Sequence, residues 1–137
     1  MRRMLSGILV IAAMFSAGCD NEVENGTLPT APAPTVSEIF TGNLNVNGGA
    51  THTFAVTATG TVTATLTEVT PDATLTTGFS LGSWNGQSCQ AVIAKDDALQ
   101  GNALIGSAAG VGLLCVRVYD VGKFTDTIGY TLTVVHP

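Results

Sequence analysis

The stretch "THTFAVTATGTVTATLT", residues 51–67, alternates apolar side chains with threonine along its whole length. This two-residue period is typical of a β-strand with one buried face. Gly60 lies between the two halves and is a turn signal, so the stretch predicts a β-hairpin with a threonine-coated outer surface. Its apolar face would carry His52, Phe54, Val56, Ala58, Val62, Ala64 and Leu66.

Similar short runs follow along the chain, and turn-rich pieces such as "NGGA", "WNGQ" and "SAAGVG" separate them. No helical period continues for ten residues. The sequence therefore predicts an all-β domain over residues 38–137, an antiparallel and jelly-roll-like β-sandwich of about eight strands. The further predicted strands are 38–46, 78–84, 87–94, 103–108, 112–121 and 128–135.

Residues 1–18 have the pattern of a secretory signal peptide, with a positively charged start, an apolar stretch at 5–15 and small residues at 16–18. The apolar stretch has about 11 residues, whereas a membrane-spanning helix needs roughly 20. We therefore expect export, and we do not expect a permanent transmembrane helix.

The signal ends at Ala17-Gly18-Cys19, which resembles the lipobox of bacterial lipoproteins. The resemblance implies that Cys19 is acylated, with palmitate as the type of anchor, and becomes the first residue of the mature chain. Ser16 stands where that family usually has leucine. The alternative is ordinary signal-peptidase cleavage that leaves a free thiol. The count of three cysteines favours the anchor, because lipidation of Cys19 leaves one pair, and stable anchoring takes more than one acyl chain.

Residues 19–37 are acidic at first and then rich in proline and threonine, so they predict a semi-rigid linker between the membrane and the domain. Removal of Arg2 and Arg3 leaves 3 basic residues against 10 acidic ones, a net charge of about −7. We expect such a chain to repel nucleic acid and anionic lipid surfaces alike. We expect a monomer in the bacterial cell envelope, attached to the inner or the outer membrane, with an envelope protein or polysaccharide as the possible partner.

Cys89 and Cys115 fall within two predicted strands of an exported domain, so a disulfide between them is expected. A metal site has little support, because the two cysteines lack CxxC spacing and His52 and His136 are far apart in sequence.

The alternating stretch at 51–67, together with "CVRVYDVGKFTDTIGYTLTVVHP" at 115–137, resembles small bacterial lipoproteins with a domain similar to the pre-peptidase C-terminal (PPC) β-sandwich. The resemblance covers essentially all of residues 38–137. It implies a non-catalytic, jelly-roll-like sandwich, and some relatives bind calcium or extracellular polymers.

The sequence "GFSLG" at 78–82 matches the G-x-S-x-G nucleophile elbow of serine hydrolases. Asp120 or Asp126 and then His136 follow in the chain order of such enzymes. However, the elbow requires a strand that leads into a helix, whereas Ser80 precedes a turn within a β-alternating run. We therefore expect no enzyme, and a small serine hydrolase is the remote alternative.

Four carboxylates are candidates for a calcium site, because loops at one end of a sandwich can bring hard oxygen ligands together. Their spacing matches no calcium-loop signature, and Lys95 and Lys123 are alternative ion-pair partners. Asp120 can also cap the turn at Val121-Gly122. These candidates are Asp96 and Asp97 in the loop "KDDALQGN", together with Asp120 and Asp126.

Trp84 and Tyr119 are the candidate ligand contacts, since exposed aromatic side chains supply contact area at low entropic cost. Tyr119 shares its face with Cys115 and Arg117, whereas Tyr130 aligns with apolar positions and is expected in the core. The predicted function is a membrane-anchored, non-catalytic binding or structural module, and the alternative is a calcium-dependent polymer or glycan binder.

Overall fold

The computed structural model describes residues 31–137. The predicted signal peptide, Cys19 and the linker up to residue 30 lie outside the described residues. Within the described part, no helix is long and apolar enough to cross a membrane. Residues 31–137 form eight strands: β1 (Val36–Leu44), β2 (Gly49–Val56), β3 (Thr59–Thr70), β4 (Thr77–Trp84), β5 (Cys89–Ala98), β6 (Ala103–Ala109), β7 (Gly112–Tyr119) and β8 (Ile128–His136).

The strands form two four-stranded antiparallel sheets, with the orders β1-β8-β3-β6 and β2-β7-β4-β5. We call these sheet A and sheet B. This strand order is that of a jelly roll, in which two Greek keys are wound into a sandwich. The predicted fold class is therefore confirmed. β1 begins two residues inside the predicted linker, at Val36.

The hairpin predicted at residues 51–67 is wrong. β2 pairs with β7 in sheet B, and β3 pairs with β6 and β8 in sheet A, so the two strands face each other across the core. Gly60 lies inside β3, and the connection is made by Thr57 and Ala58. Alternation specifies which side chains are buried. It does not predict the connection, because a hairpin and a crossover between sheets bury the same side chains.

The core lies between the sheets and holds large buried apolar side chains from every strand except β5, which contributes the buried Ala98 and the partly buried Ile93. Phe79, Val116 and Leu132 have no exposed surface. Tyr130 is also buried, as predicted, and its hydroxyl lies 2.7 Å from His52 Nε2. Burial of this apolar surface is the main favourable contribution to folding.

Cys89 and Cys115 form the predicted disulfide, which lies on the outer face of sheet B. A Cβ atom on Gly82 would lie 1.9 Å from the Gln90 carbonyl oxygen, so the start of β5 passes directly over this glycine. Gly82 is the register partner of Cys115. The missing side chain at Gly82 therefore gives β5 the room to bring Cys89 to Cys115.

The connections between strands meet at two ends of the sandwich. We call the end where β1 begins the N-terminal end, because the described chain arrives there. It carries the connections 57–58, 85–88 and 110–111. The opposite end carries 45–48, 71–76, 99–102 and 120–127.

Candidate functional site

An apolar cleft of about 490 Å³ opens between the sheets at the N-terminal end. Its volume falls in the range of about 300–1,000 Å³ that is usual for small-molecule sites. The walls are the edge strands β5 and β6, each of which has one unpaired side in the described part of the chain. The connection between β6 and β7 forms one side of the opening.

The cleft exists because the inward side chains of β6 become small toward this end. Leu104 fills the space between the sheets, but Gly106 and Ala108 follow it on the same face. A Cβ atom on Gly106 would lie 3.1 Å from Leu81 Cδ2 and 3.4 Å from Ile93 Cδ1. With no side chain at Gly106, these two apolar side chains line the floor of an open groove.

Large apolar side chains surround the opening and are exposed to solvent. Val111 at the tip of the β6–β7 connection is 85% exposed, Val92 on β5 is 78% exposed and Leu113 on β7 is 50% exposed. Isolated exposed apolar residues are common, but three of them around one apolar groove form a patch of the kind that marks an interaction site.

This cleft was not predicted from the sequence. The connection "AAGVGLL", residues 108–114, contained the available signal, because it is a turn without a polar side chain. Turns are usually rich in polar residues, so an apolar turn indicates a surface with a partner or ligand.

A second group of side chains lies on the outer face of sheet B. The Tyr119 hydroxyl donates a hydrogen bond to Asp96 Oδ1, so the structure brings together one predicted ligand contact and one predicted metal ligand. The Arg117 guanidinium carbon lies 5.9 Å from the centre of the Tyr119 ring. Burial, followed by the hydrogen bond and the negative charge of Asp96, raises the pKa of Tyr119 to about 12.

Two glycines form the floor under this group. A Cβ atom on Gly78 would lie within 2.0 Å of the Tyr119 ring, and one on Gly49 would lie 2.7 Å from the Arg117 guanidinium. Both side chains therefore lie flat on the sheet. A tyrosine and an arginine on a flat surface have the composition of a protein-binding hot spot.

The four predicted calcium ligands do not form one cluster. The described residues hold no group of three or more His, Cys, Asp or Glu side chains that could bind a metal ion. Asp96 and Asp97 lie in β5 and not in a loop, since β5 extends to Ala98. Asp97 Oδ1 pairs with Lys95 Nζ at 2.8 Å, which lowers the pKa of Asp97.

Asp120 caps the β7–β8 connection, as predicted. Its Oδ1 accepts hydrogen bonds from the backbone amides of Gly122, Lys123 and Phe124, at 2.8, 2.8 and 3.1 Å. Its Oδ2 accepts another from the amide of Asn47 at 2.7 Å. These bonds hold the pKa of Asp120 below its usual value, against the opposing effect of desolvation. Asp126 lies in the same connection, and its Oδ2 accepts a hydrogen bond from Thr125.

The structure does not assemble the predicted serine-hydrolase residues. Ser80 is buried within β4 of sheet B, and no helix follows it in the described part of the chain. His136 lies in sheet A, where its Nε2 is 2.8 Å from Glu38 Oε1. Trp84 ends β4 at the N-terminal end of the sandwich and is partly exposed.

No protein-family model and no curated protein matches the sequence. Among solved structures, the chain is similar to the crystal structure of Aeromonas hydrophila PliG, a periplasmic lysozyme inhibitor of g-type lysozyme. The TM-score is 0.51 at 15% sequence identity, and the match covers 72% of this chain and 83% of that chain. At this identity the similarity shows a common fold, so the chain has an all-β sandwich like that of PliG.

Proposed function

We propose that this protein is a lipid-anchored, extracytoplasmic and non-catalytic binding module, and that the apolar cleft between β5 and β6 is its binding site. The cleft carries the proposal, because it is a preformed groove lined by apolar side chains and surrounded by exposed ones. Burial of apolar surface is worth roughly 25 cal/mol per Å², so an apolar partner would bind there by removing Val92, Val111 and Leu113 from water.

The positions of the potential catalytic groups support a non-catalytic role. A hydrolase needs a nucleophile within hydrogen-bonding distance of a base. Ser80 and His136 lie in different sheets, and His136 is engaged with Glu38. The Tyr119 hydroxyl, whose pKa is raised, donates a hydrogen bond to the Asp96 carboxylate, which stabilises the protonated phenol and gives no nucleophile.

The anchoring part of the proposal depends on the sequence at residues 16–19. Cys89 and Cys115 are joined to each other, so of the three cysteines Cys19 is left for acylation. A structural disulfide is also typical of proteins outside the cytoplasm. The test is metabolic labelling with an alkyne fatty acid in a bacterial host. Wild-type chain should be labelled and fractionate with membranes, whereas Cys19→Ser should lose both properties. Labelling of the variant would disprove anchoring at Cys19.

Binding of an apolar fluorescent probe, N-phenyl-1-naphthylamine, tests the cleft. The chain from residue 19 onward should enhance the fluorescence of the probe, and Val92→Asp at the rim should abolish that enhancement. Ile105→Asp is the matched control, because Ile105 is an edge-strand residue that is 66% exposed but lies outside the cleft. Equal loss in both variants, or no enhancement by the wild type, would contradict the proposal.

A second candidate is inhibition of a lysozyme, which the similarity of fold to PliG favours. The binding surface would be the outer face of sheet B around Tyr119 and Arg117. The test is the rate at which a g-type lysozyme clears a suspension of cell walls. Slower clearing that Arg117→Ala relieves would support inhibition, and an unchanged rate would exclude it.

A calcium-dependent polymer or glycan binder, with Trp84 as the contact, is the alternative that the PPC-like resemblance implies, although its four candidate carboxylates form no cluster in the described part of the chain. It predicts that Trp84 fluorescence changes when a cell-envelope polysaccharide is added with calcium and does not change when EDTA is present. Trp84 fluorescence that is the same with the polysaccharide and calcium as with the polysaccharide and EDTA would count against this alternative.

A further inference from the structure

The described chain reaches the sandwich at the end where the cleft opens. Pro32, Ala33 and Thr35 line a shallow depression together with residues 59–61 and Pro137. β1 then starts at Val36, opposite His136 at the end of β8. The segment that leads from Cys19 therefore joins the domain at its N-terminal end.

Charged side chains are absent from this end in the described part of the chain. No Asp, Glu, Lys or Arg occurs in the segments at this end, which are 31–36, 56–60, 83–88, 108–113 and 136–137. Among residues 31–137, only Glu38 lies in the adjoining half of a strand. The other charged side chains lie toward the opposite end: Glu68, Asp72, Lys95, Asp96, Asp97, Arg117, Asp120, Lys123 and Asp126.

The N-terminal end also carries exposed apolar side chains, beside the polar connection 85–88. Its connection between β6 and β7 carries Val111, which is 85% exposed, and Leu113 follows at the start of β7. Trp84 lies at the same end, where β4 finishes. Tryptophan is enriched where proteins meet the membrane–water interface, because its ring has an apolar body and a polar N–H group.

We propose that the N-terminal end of the sandwich docks on the lipid bilayer, with Val111 and the mouth of the cleft in contact with acyl chains and Trp84 at the interface. This inference rests on the lipid anchor of the proposed function, and it names the bilayer as the occupant of the cleft. The domain would then stand on the membrane with its charged end directed away from it.

The length of the connecting segment favours the bilayer over another partner. Only 12 peptide steps separate Cys19 from Ala31, and they span at most about 40 Å at roughly 3.3–3.6 Å per residue. An anchored chain therefore keeps the N-terminal end within about 40 Å of the lipid surface. Six carboxylates against three basic groups at the opposite end would repel anionic headgroups, so the end without charged side chains is the one that can approach.

The fluorescence of Trp84 provides a direct test, because the chain has one tryptophan. With Cys89 and Cys115 joined, the thiol of Cys19 can be coupled to a maleimide lipid in phosphatidylcholine vesicles whose acyl chains carry bromine. Bromine quenches tryptophan on contact. We expect quenching in coupled wild-type chain from residue 19 onward, and its loss in Val111→Asp.

Val46→Asp is the matched control, because it makes the same change in an exposed valine at the opposite end. It should leave the quenching as in the wild type. Unquenched Trp84 in coupled wild type, or equal quenching in both variants, would overturn the docking proposal. Coupling through maleimide does not depend on natural acylation, so a failure here is distinct from a failure of labelling at Cys19. If Val111→Asp leaves Trp84 quenched, Val111 makes no contact with the bilayer; its exposed side chain then serves a protein partner, and the bilayer proposal is wrong.

Discussion

Cys89 in β5 and Cys115 in β7 are joined by a disulfide, although β4 lies between their strands in sheet B. The bond therefore holds the edge strand β5 to the second strand inward, and it lies on the outer face above Gly82. Since β5 forms one wall of the cleft, the disulfide also fixes the position of that wall.

Loss of the disulfide should destabilise the domain. The two cysteines are 26 residues apart, and closure of a loop of this length in the unfolded chain is worth about 3 kcal/mol. We expect the double variant Cys89→Ala/Cys115→Ala to lose this much free energy of unfolding in urea titrations. Reduced wild-type protein should behave like the variant. An unchanged unfolding midpoint in both would show that the cross-link adds no stability.

Gly82→Ala should destabilise the domain by about 1–3 kcal/mol, the usual cost of forcing an extra group into a packed site. The new Cβ atom would collide with the backbone of Gln90, which cannot move without separating β5 from β4. Gly112→Ala is the control, because no atom lies within 4 Å of the position of its Cβ. We expect the thermal midpoint of Gly112→Ala to lie close to that of the wild type, and the midpoint of Gly82→Ala to lie well below both. Equal midpoints for the two variants would refute the close approach of β5.

Tyr119 should ionise only at strongly alkaline pH, which absorbance titration of tyrosinate can measure. Its pKa is raised to about 12, whereas a tyrosine in an unfolded chain ionises near 10. The raised pKa means that the neutral phenol of Tyr119 stabilises the folded state. This contribution to folding stability is fully present below pH 10 and is lost as the pH rises through about 12. Burial raises the pKa of Tyr130 as well.

Asp96→Asn removes the negative charge beside the phenol and should lower the pKa of Tyr119, while Tyr130 stays unchanged. Tyr119→Phe should leave the titration of Tyr130 alone. If the tyrosine that Tyr119→Phe removes from the titration ionises near 10 in the folded wild type, the contact between Tyr119 and Asp96 does not persist in solution.

Calcium should leave the thermal midpoint unchanged relative to EDTA, because the four candidate carboxylates are engaged separately and do not gather around one position. Calcium at 100 times its dissociation constant would add about 2.7 kcal/mol, a shift of roughly 10 °C or more for a domain of this size. A rise of that order would contradict this prediction, and substitution of Asp96, Asp97, Asp120 and Asp126 in turn would locate the site.

Alternation of apolar residues and threonine was sufficient to predict the sandwich, the number of strands and most of the core, because burial of one face dictates that pattern. It could not predict which strands pair. β2 and β3 adjoin in sequence but lie in different sheets. The alternation cannot distinguish this arrangement from a hairpin, because both place Phe54 and Val62 in the same core. The disulfide was predictable from cysteine number and compartment, but its path over β4 depends on Gly82.

The candidate site was less accessible from the sequence. Tyr119 was predicted as a contact and lies on the outer face, but its partner Asp96 was assigned to a loop, because "KDD" is a strong turn signal that pairing of β5 with β4 overrides. The cleft depends on small inward residues, Gly106 and Ala108, at one end of β6. Small side chains leave a cleft only where the opposite strand does not fill the space. The sequence does not show this unless the strand that faces them is known.

Binding at the cleft is tested most directly by amide chemical-shift mapping of the chain from residue 19 onward, with Cys19→Ser, during titration with dihexanoylphosphatidylcholine. We expect shifts at Val92 and at residues 106–114, and none at the β7–β8 connection 120–127. Shifts concentrated around Asp96, Arg117 and Tyr119, or no shifts at all, would contradict the claim that the apolar cleft is the binding site.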